Sequence, residues 1–299
     1  MTRRFLVPGI AVVAVLAFSY LSRAQERRWP GAVYDSDKNG EKPGAAPRRS
    51  LAGIWEPAKS AADGIAANGA KAMPSDGKPE HELPYTPEGR KAFQANKPTY
   101  GITQVPAALS NDPMPACNPQ GFPRIILHNY RTSQIVQTED QVLILYEFNR
   151  KWREIWTDGR ELPKDPENPG WTTVAGVVPP PEEPRWWGYS VGKWVDDYTF
   201  VDVSNGFHDD TWIDNAGRPH SDALQVEETF HRVDADHLEL SIKIIDPKFY
   251  AKPWVALDKL SLRLQSRHFD IPEMECAPIE TAKYDKFFSK PAARTGKGK

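Results

Sequence analysis

The chain reads as a mainly β protein, an antiparallel up-and-down barrel of about eight to ten strands with a short N-terminal helix and long Pro-rich loops. Three observations carry that reading. First, Leu238, Leu240, Ile242 and Ile244 alternate with Glu239, Ser241 and Lys243, and Leu224, Val226 and Phe230 do the same one turn earlier. Period two over such lengths marks strands with one buried and one polar face. Second, several such runs follow one another across turn-sized gaps, which makes neighbours antiparallel. Third, the 299 residues include 28 Pro. Internal Pro breaks helices, so that load fits short strands joined by ordered loops. A meander of this size closes on itself because closure removes exposed strand edges.

Taken in order, residues 1–24 read as a secretory signal: Arg3 and Arg4, an apolar stretch over 5–21, then Ser22-Arg23-Ala24. Residues 25–50 are polar and Gly/Pro-rich and are expected to be a flexible leader. One barrel domain is assigned to 51–280, and 281–299 is expected to be a basic disordered tail. Within the domain, 51–55 forms a first strand. Thr86 caps a helix that has Pro87 at its first position and runs to Ala95. Strands are expected at 122–128, 133–138, 141–148 and 151–157. A Pro-rich loop over 158–185 precedes further strands at 187–195, 198–204, 224–231, 238–244 and 255–264.

The formal net charge is -2, and without Arg3, Arg4 and Arg23 it becomes -5. No basic surplus exists for nucleic acid. With 39% apolar residues, the chain supports one core and no multi-span membrane protein; stable membrane insertion after signal cleavage is not expected. Export places the protein in the periplasm or outside the cell. There the two cysteines, Cys117 and Cys276, are expected to pair, the alternative being two free thiols.

The runs Trp152-Arg153-Glu154-Ile155-Trp156, Gly188-Tyr189-Ser190-Val191-Gly192-Lys193-Trp194 and Leu224-Gln225-Val226-Glu227-Glu228-Thr229-Phe230 are similar to those of an uncharacterised family of exported bacterial proteins. The barrel core of that family resembles the lipocalin-like, calycin-type architecture, in which a meander encloses a small-molecule cavity. The resemblance spans about residues 51–278. It implies a fold and carries over no activity.

No nucleotide-binding fingerprint, P-loop, nucleophile elbow or zinc-protease helix is present. The densest polar run lies between two strands, over residues 206–222, and offers His208, Asp210, Asp214 and His220 as acid/base candidates. A carboxylate beside an imidazole orients it and raises its basicity. The same residues also suit turn formation alone. No established ligand spacing supports a metal, and no cofactor is expected. A ligand-binding set is drawn from Arg153, Trp156, Arg160, Trp212, Glu227 and His231. Arg is suited to a ligand carboxylate or phosphate, unless Arg153 pairs instead with Glu227 or Glu228 across the barrel. The expected function is binding of a small organic molecule. The alternative is an acid/base enzyme (lyase, isomerase or hydrolase) acting on a small organic or sugar-like substrate. Oligomeric state is not legible.

Overall fold

A computed structural model of the chain describes residues 30–164, 184–284 and 286–287; the expected signal and most of the basic tail lie outside them. Among the described residues, nine strands close a barrel in chain order. They are β1 Gly53–Pro57, β2 Ser133–Gln137, β3 Gln141–Tyr146, β4 Trp152–Trp156, β5 Tyr189–Trp194, β6 Thr199–Asn205, β7 Gln225–Arg232, β8 His237–Ile245 and β9 Trp254–Leu264. Three α-helices accompany them: α1 Pro87–Ala95, α2 Arg124–Asn129 and α3 Pro278–Tyr284.

A closed ring with an odd number of strands cannot alternate direction throughout. Because β1 runs antiparallel to both β2 and β9, a parallel pair must occur elsewhere. It is β4 with β5, joined at the single register pair Trp156 and Val191. Parallel neighbours need a crossover of a dozen or more residues, and the long connection expected after residue 157 is that crossover. Its central part, 165–183, lies outside the described residues.

Alternation places the core. Val142, Ile144 and Tyr146 of β3, Phe200 of β6, Val226 and Phe230 of β7, and Leu238, Leu240, Ile242 and Ile244 of β8 are all buried. Each such aliphatic or aromatic side chain contributes about 1.5–3 kcal/mol. In β9 the register slips opposite Ile242, and Lys259 takes a left-handed φ of 48°. The shifts on the two sides of Ile242 add up to two residues, so Leu260 and Leu262 keep the inward face of Trp254 and Ala256.

Residues 122–128, expected as a strand, are instead the Phe122–Pro123 turn and α2. Arg124, Ile125, Ile126 and Leu127 are buried in succession. An apolar run buried on every side carries no period, so a short helix and a core strand look alike in sequence. His128 of α2 has its Nδ1 2.7 Å from Gln120 Nε2, and burial pulls its pKa down to about 4.

The cap of α1 is as expected, with the Gly89 amide donating to Thr86 Oγ1 at 3.0 Å. Thr86 Oγ1 in turn donates to the Lys248 carbonyl at 2.6 Å. A Cβ on Gly89 would stand 2.1 Å from the Phe249 carbonyl oxygen, so only glycine lets α1 sit this close to the 246–250 turn. Cys117 and Cys276 form a disulfide with a Cα–Cα distance of 5.5 Å across 159 positions. In the chain-entropy picture a loop of that length is worth about 5 kcal/mol.

The stretch expected to be a leader makes specific contacts from residue 33 onward. Val33 exchanges two hydrogen bonds with the Gln265 side chain, Tyr34 is buried, and a 3-10 turn follows at Asp35–Lys38.

Candidate functional site

Two polar clusters stand out. The first is inside the barrel. Asp202 of β6 and Glu228 of β7 are directly opposite each other in register, both point inward, and neither has any exposed surface. Arg153 of β4 donates through Nη2 to Glu228 Oε2 and lies 3.5 Å from Asp202 Oδ2. Its guanidinium also covers the Phe122 ring at 3.9 Å. Of the two pairings weighed for Arg153, the one formed is with Glu228.

One cation thus faces two carboxyl groups. Burial, reinforced by the Glu228 charge, pushes the Asp202 carboxyl well above the usual carboxylate range. Asp202 therefore holds its proton more readily than an ordinary carboxyl, while Arg153 stays charged. Arg153 Nε and Nη1, Asp202 Oδ1, Glu228 Oε1 and the Tyr146 hydroxyl have no hydrogen-bond partner among the described residues. Close by at the barrel rim, Glu56 is also fully buried. It accepts from Thr132 Oγ1, and desolvation, opposed by that bond and aided by Glu147, raises its pKa to about 7.

The remaining members of the expected ligand set do not join Arg153. Glu227 is on the outer wall, 2.5 Å from Lys243 Nζ. His231 is exposed and meets Thr199 Oγ1 at 3.1 Å. Arg160 stacks over Trp156 at 3.5 Å and pairs with Asp158, again outside. Trp212 belongs to the second cluster.

That second cluster is the 206–222 loop. Residues 211–221 are buried without interruption, which is unusual for so polar a run, and their polar groups are met. Asp214 accepts from Ala70 N at 2.8 Å, Ala216 N at 2.9 Å and Arg218 Nη1 at 2.9 Å. Asp246, at the end of β8, accepts from the Ser221 amide and hydroxyl, both at 2.7 Å. The Tyr250 hydroxyl donates to the Pro219 carbonyl at 2.8 Å. Arg124 reaches Asn215 Oδ1 at 3.3 Å and covers the Trp212 ring at 5.2 Å.

Between this loop and α1 opens a cleft of about 480 Å³. Ala92 of α1 and Asn96 just past its end line it, with Thr211, Trp212 and His220 from the loop and Lys248 from the turn that α1 rests on. Burial depresses the His220 pKa, so its ring is neutral near pH 7. Its Nδ1 faces the Ser221 carbonyl at 3.2 Å and must donate; Nε2 is then the acceptor for the Thr211 hydroxyl at 2.7 Å. A neutral imidazole therefore presents its lone pair to a hydroxyl on the cleft wall.

Asp214 is held by Arg218 and two amides and makes no hydrogen bond with His220. His208 stacks on Trp186 at 4.3 Å, and its carbonyl lies 3.3 Å from Thr211 Oγ1, farther than His220 Nε2. With Asp209 and Asp210 it offers three ligand atoms within 4.8 Å of one another, but both acids are exposed. Charges this solvated bind cations weakly. A smaller cleft of about 310 Å³ lies on the other flank of α1, where Tyr85, Arg90 and Arg218 meet.

The chain matches no family model, no curated protein and no solved structure. Of the expected likeness to calycin-type proteins, the closed barrel is what the structure shows.

Proposed function

We propose that the chain is an exported lipocalin-like barrel protein that binds a small polar organic molecule without a cofactor. The observation that carries the proposal is the cleft between α1 and the 206–222 loop, where hydrogen-bonding groups and an aromatic wall converge on one open space. The barrel interior is a weaker candidate. Phe122, Phe200, Phe230 and the aliphatic residues of β8 fill it, and Arg153 is already paired. Glu88, Asp209 and Asp222 outnumber Lys248 around the cleft, which favours a neutral or cationic ligand.

Placement in the periplasm or outside the cell is supported by the disulfide. Among the described residues, no helix is long and apolar enough to cross a membrane.

The test is a ligand-detected NMR screen of small polar fragments, neutral, cationic and anionic. Neutral and cationic fragments bind, and Ala92→Trp, which fills the cleft from α1, weakens them at least about tenfold (~1.4 kcal/mol). Unchanged binding in that variant removes the cleft from consideration.

A further inference from the structure

We propose that the same cleft is reactive: Thr211 is a nucleophile for acyl transfer from a small neutral or cationic ester, with His220 as its base. The inference rests on the cleft being the binding site and goes beyond it.

The sequence of supports runs from the core outward. Asp246 grips Ser221 through its amide and its hydroxyl. The Ser221 carbonyl, fixed by that grip, accepts from His220 Nδ1 and so sets both tautomer and ring orientation. The Phe207 ring packs edge-on against the imidazole at 6.5 Å between centroids. Nε2 is left as the acceptor for Thr211 Oγ1 at 2.7 Å. A nucleophile, a base and a third group that orients the base are thus in hydrogen-bond reach, and both reacting side chains line the cleft.

In the step, Thr211 Oγ bonds to the ester carbonyl carbon as its proton passes to His220 Nε2. The carbon–oxygen bond to the alcohol then breaks, and His220 returns the proton to the departing alkoxide. Water repeats the sequence on the acyl-threonine, releasing the acid and restoring the hydroxyl. Lys248 also lines the cleft, with its Nζ held by the Asp222 carboxylate at 2.5 Å and 2.7 Å.

The probe is p-nitrophenyl acetate, with release of p-nitrophenolate followed optically and the acetylated residue located by peptide mass spectrometry. The expected result is acetylation at Thr211, with a rate that stays level into mildly acidic buffer because His220 resists protonation. Thr211→Val and His220→Gln lower that rate at least about a hundredfold. Thr211→Ser, which keeps a hydroxyl, retains it, and His231→Ala on the outer wall leaves it unchanged.

Acetylation confined to lysines, or a rate unaffected by Thr211→Val, overturns the proposal. Failure here is separable from failure of the binding site. Fragments that bind wild type and not Ala92→Trp, with no Thr211 adduct, leave a binding cleft that is not reactive.

Discussion

Asp214, in the loop that covers the barrel, is surrounded by two amides and a guanidinium. Asp202, inside the barrel, is equally buried, yet one of its oxygens has no partner among the described residues and its neighbour Glu228 is a second acid. The two carboxyl groups show two ways of living without water. Where enough donors surround the carboxyl oxygens, every one is met and the group becomes a rigid scaffold. Where donors are short, the group keeps a proton and stability becomes tied to pH. The loop cluster is of the first kind, and it is the one that shapes an open cleft. The interior cluster is of the second kind and is sealed.

The strongest way to break this contrast is to remove the interior's single cation. Arg153→Met leaves Asp202 and Glu228 facing each other unpaired, and losing one partner from a buried pair costs about 3–5 kcal/mol. The urea midpoint falls accordingly, while Arg153→Met combined with Asp202→Leu and Glu228→Leu recovers much of the loss. A single variant within about 0.5 kcal/mol of wild type would show that the charges are not mutually dependent.

Glu56 sharpens the same contrast at the barrel rim. Its folded pKa of about 7 lies above the ordinary 4.5, so the folded state holds its proton longer than the unfolded chain does. The stabilising contribution is complete below 4.5 and is lost as pH rises through about 7. The full swing is about 3 kcal/mol. Glu56→Gln, neutral at every pH, is expected to flatten this part of the pH profile and to exceed wild type in stability in mildly alkaline buffer. A wild-type profile with no decline over that range would place Glu56 among the well-donated acids instead.

These contrasts were only partly legible in the sequence. Period-two alternation located most of the strands, because each has one buried face, and its breach in β7, Glu228 among Leu224, Val226 and Phe230, was a visible trace of the interior cluster. Asp202 lies between Phe200 and Ser204 on an inward face in the same manner. The helix at Arg124–Asn129 was hidden because its apolar run has no polar face to set a period. Loop 206–222 was recognisable as a dense polar run, and His220 came with it. Thr211 did not, since its partner is nine positions away and the hydrogen bond depends on the path the loop takes between them. Ala92, Asn96 and Lys248 come from other elements altogether, and only the fold brings them to the cleft.

The smallest expected effect is at the opposite kind of site, a charged cluster at the surface. His237 faces Asp35 through Nε2 and Asp234 through Nδ1, both at 2.9 Å, and Arg263 reaches Asp35 at 2.9 Å and Asp236 at 3.1 Å. Burial disfavours the imidazolium, but the two acids outweigh it and raise the His237 pKa. Burial likewise opposes ionisation of Asp35, and His237 and Arg263 overcome it and lower that pKa. The His237 contribution is present below 6.5 and fades as pH rises through the elevated folded value; that of Asp35 is present above 3.8 and fades as pH falls through the depressed one. The segment at Asp35–Lys38 is therefore held most tightly between those limits. Because these groups are partly exposed, the effect stays below about 1 kcal/mol. His237→Gln should speed amide exchange over residues 33–38 at mildly acidic pH, after correction for intrinsic rates, and leave β6 and β7 protected. Equal exchange in variant and wild type would mean that Gln265 and the buried Tyr34 hold this segment without the charges.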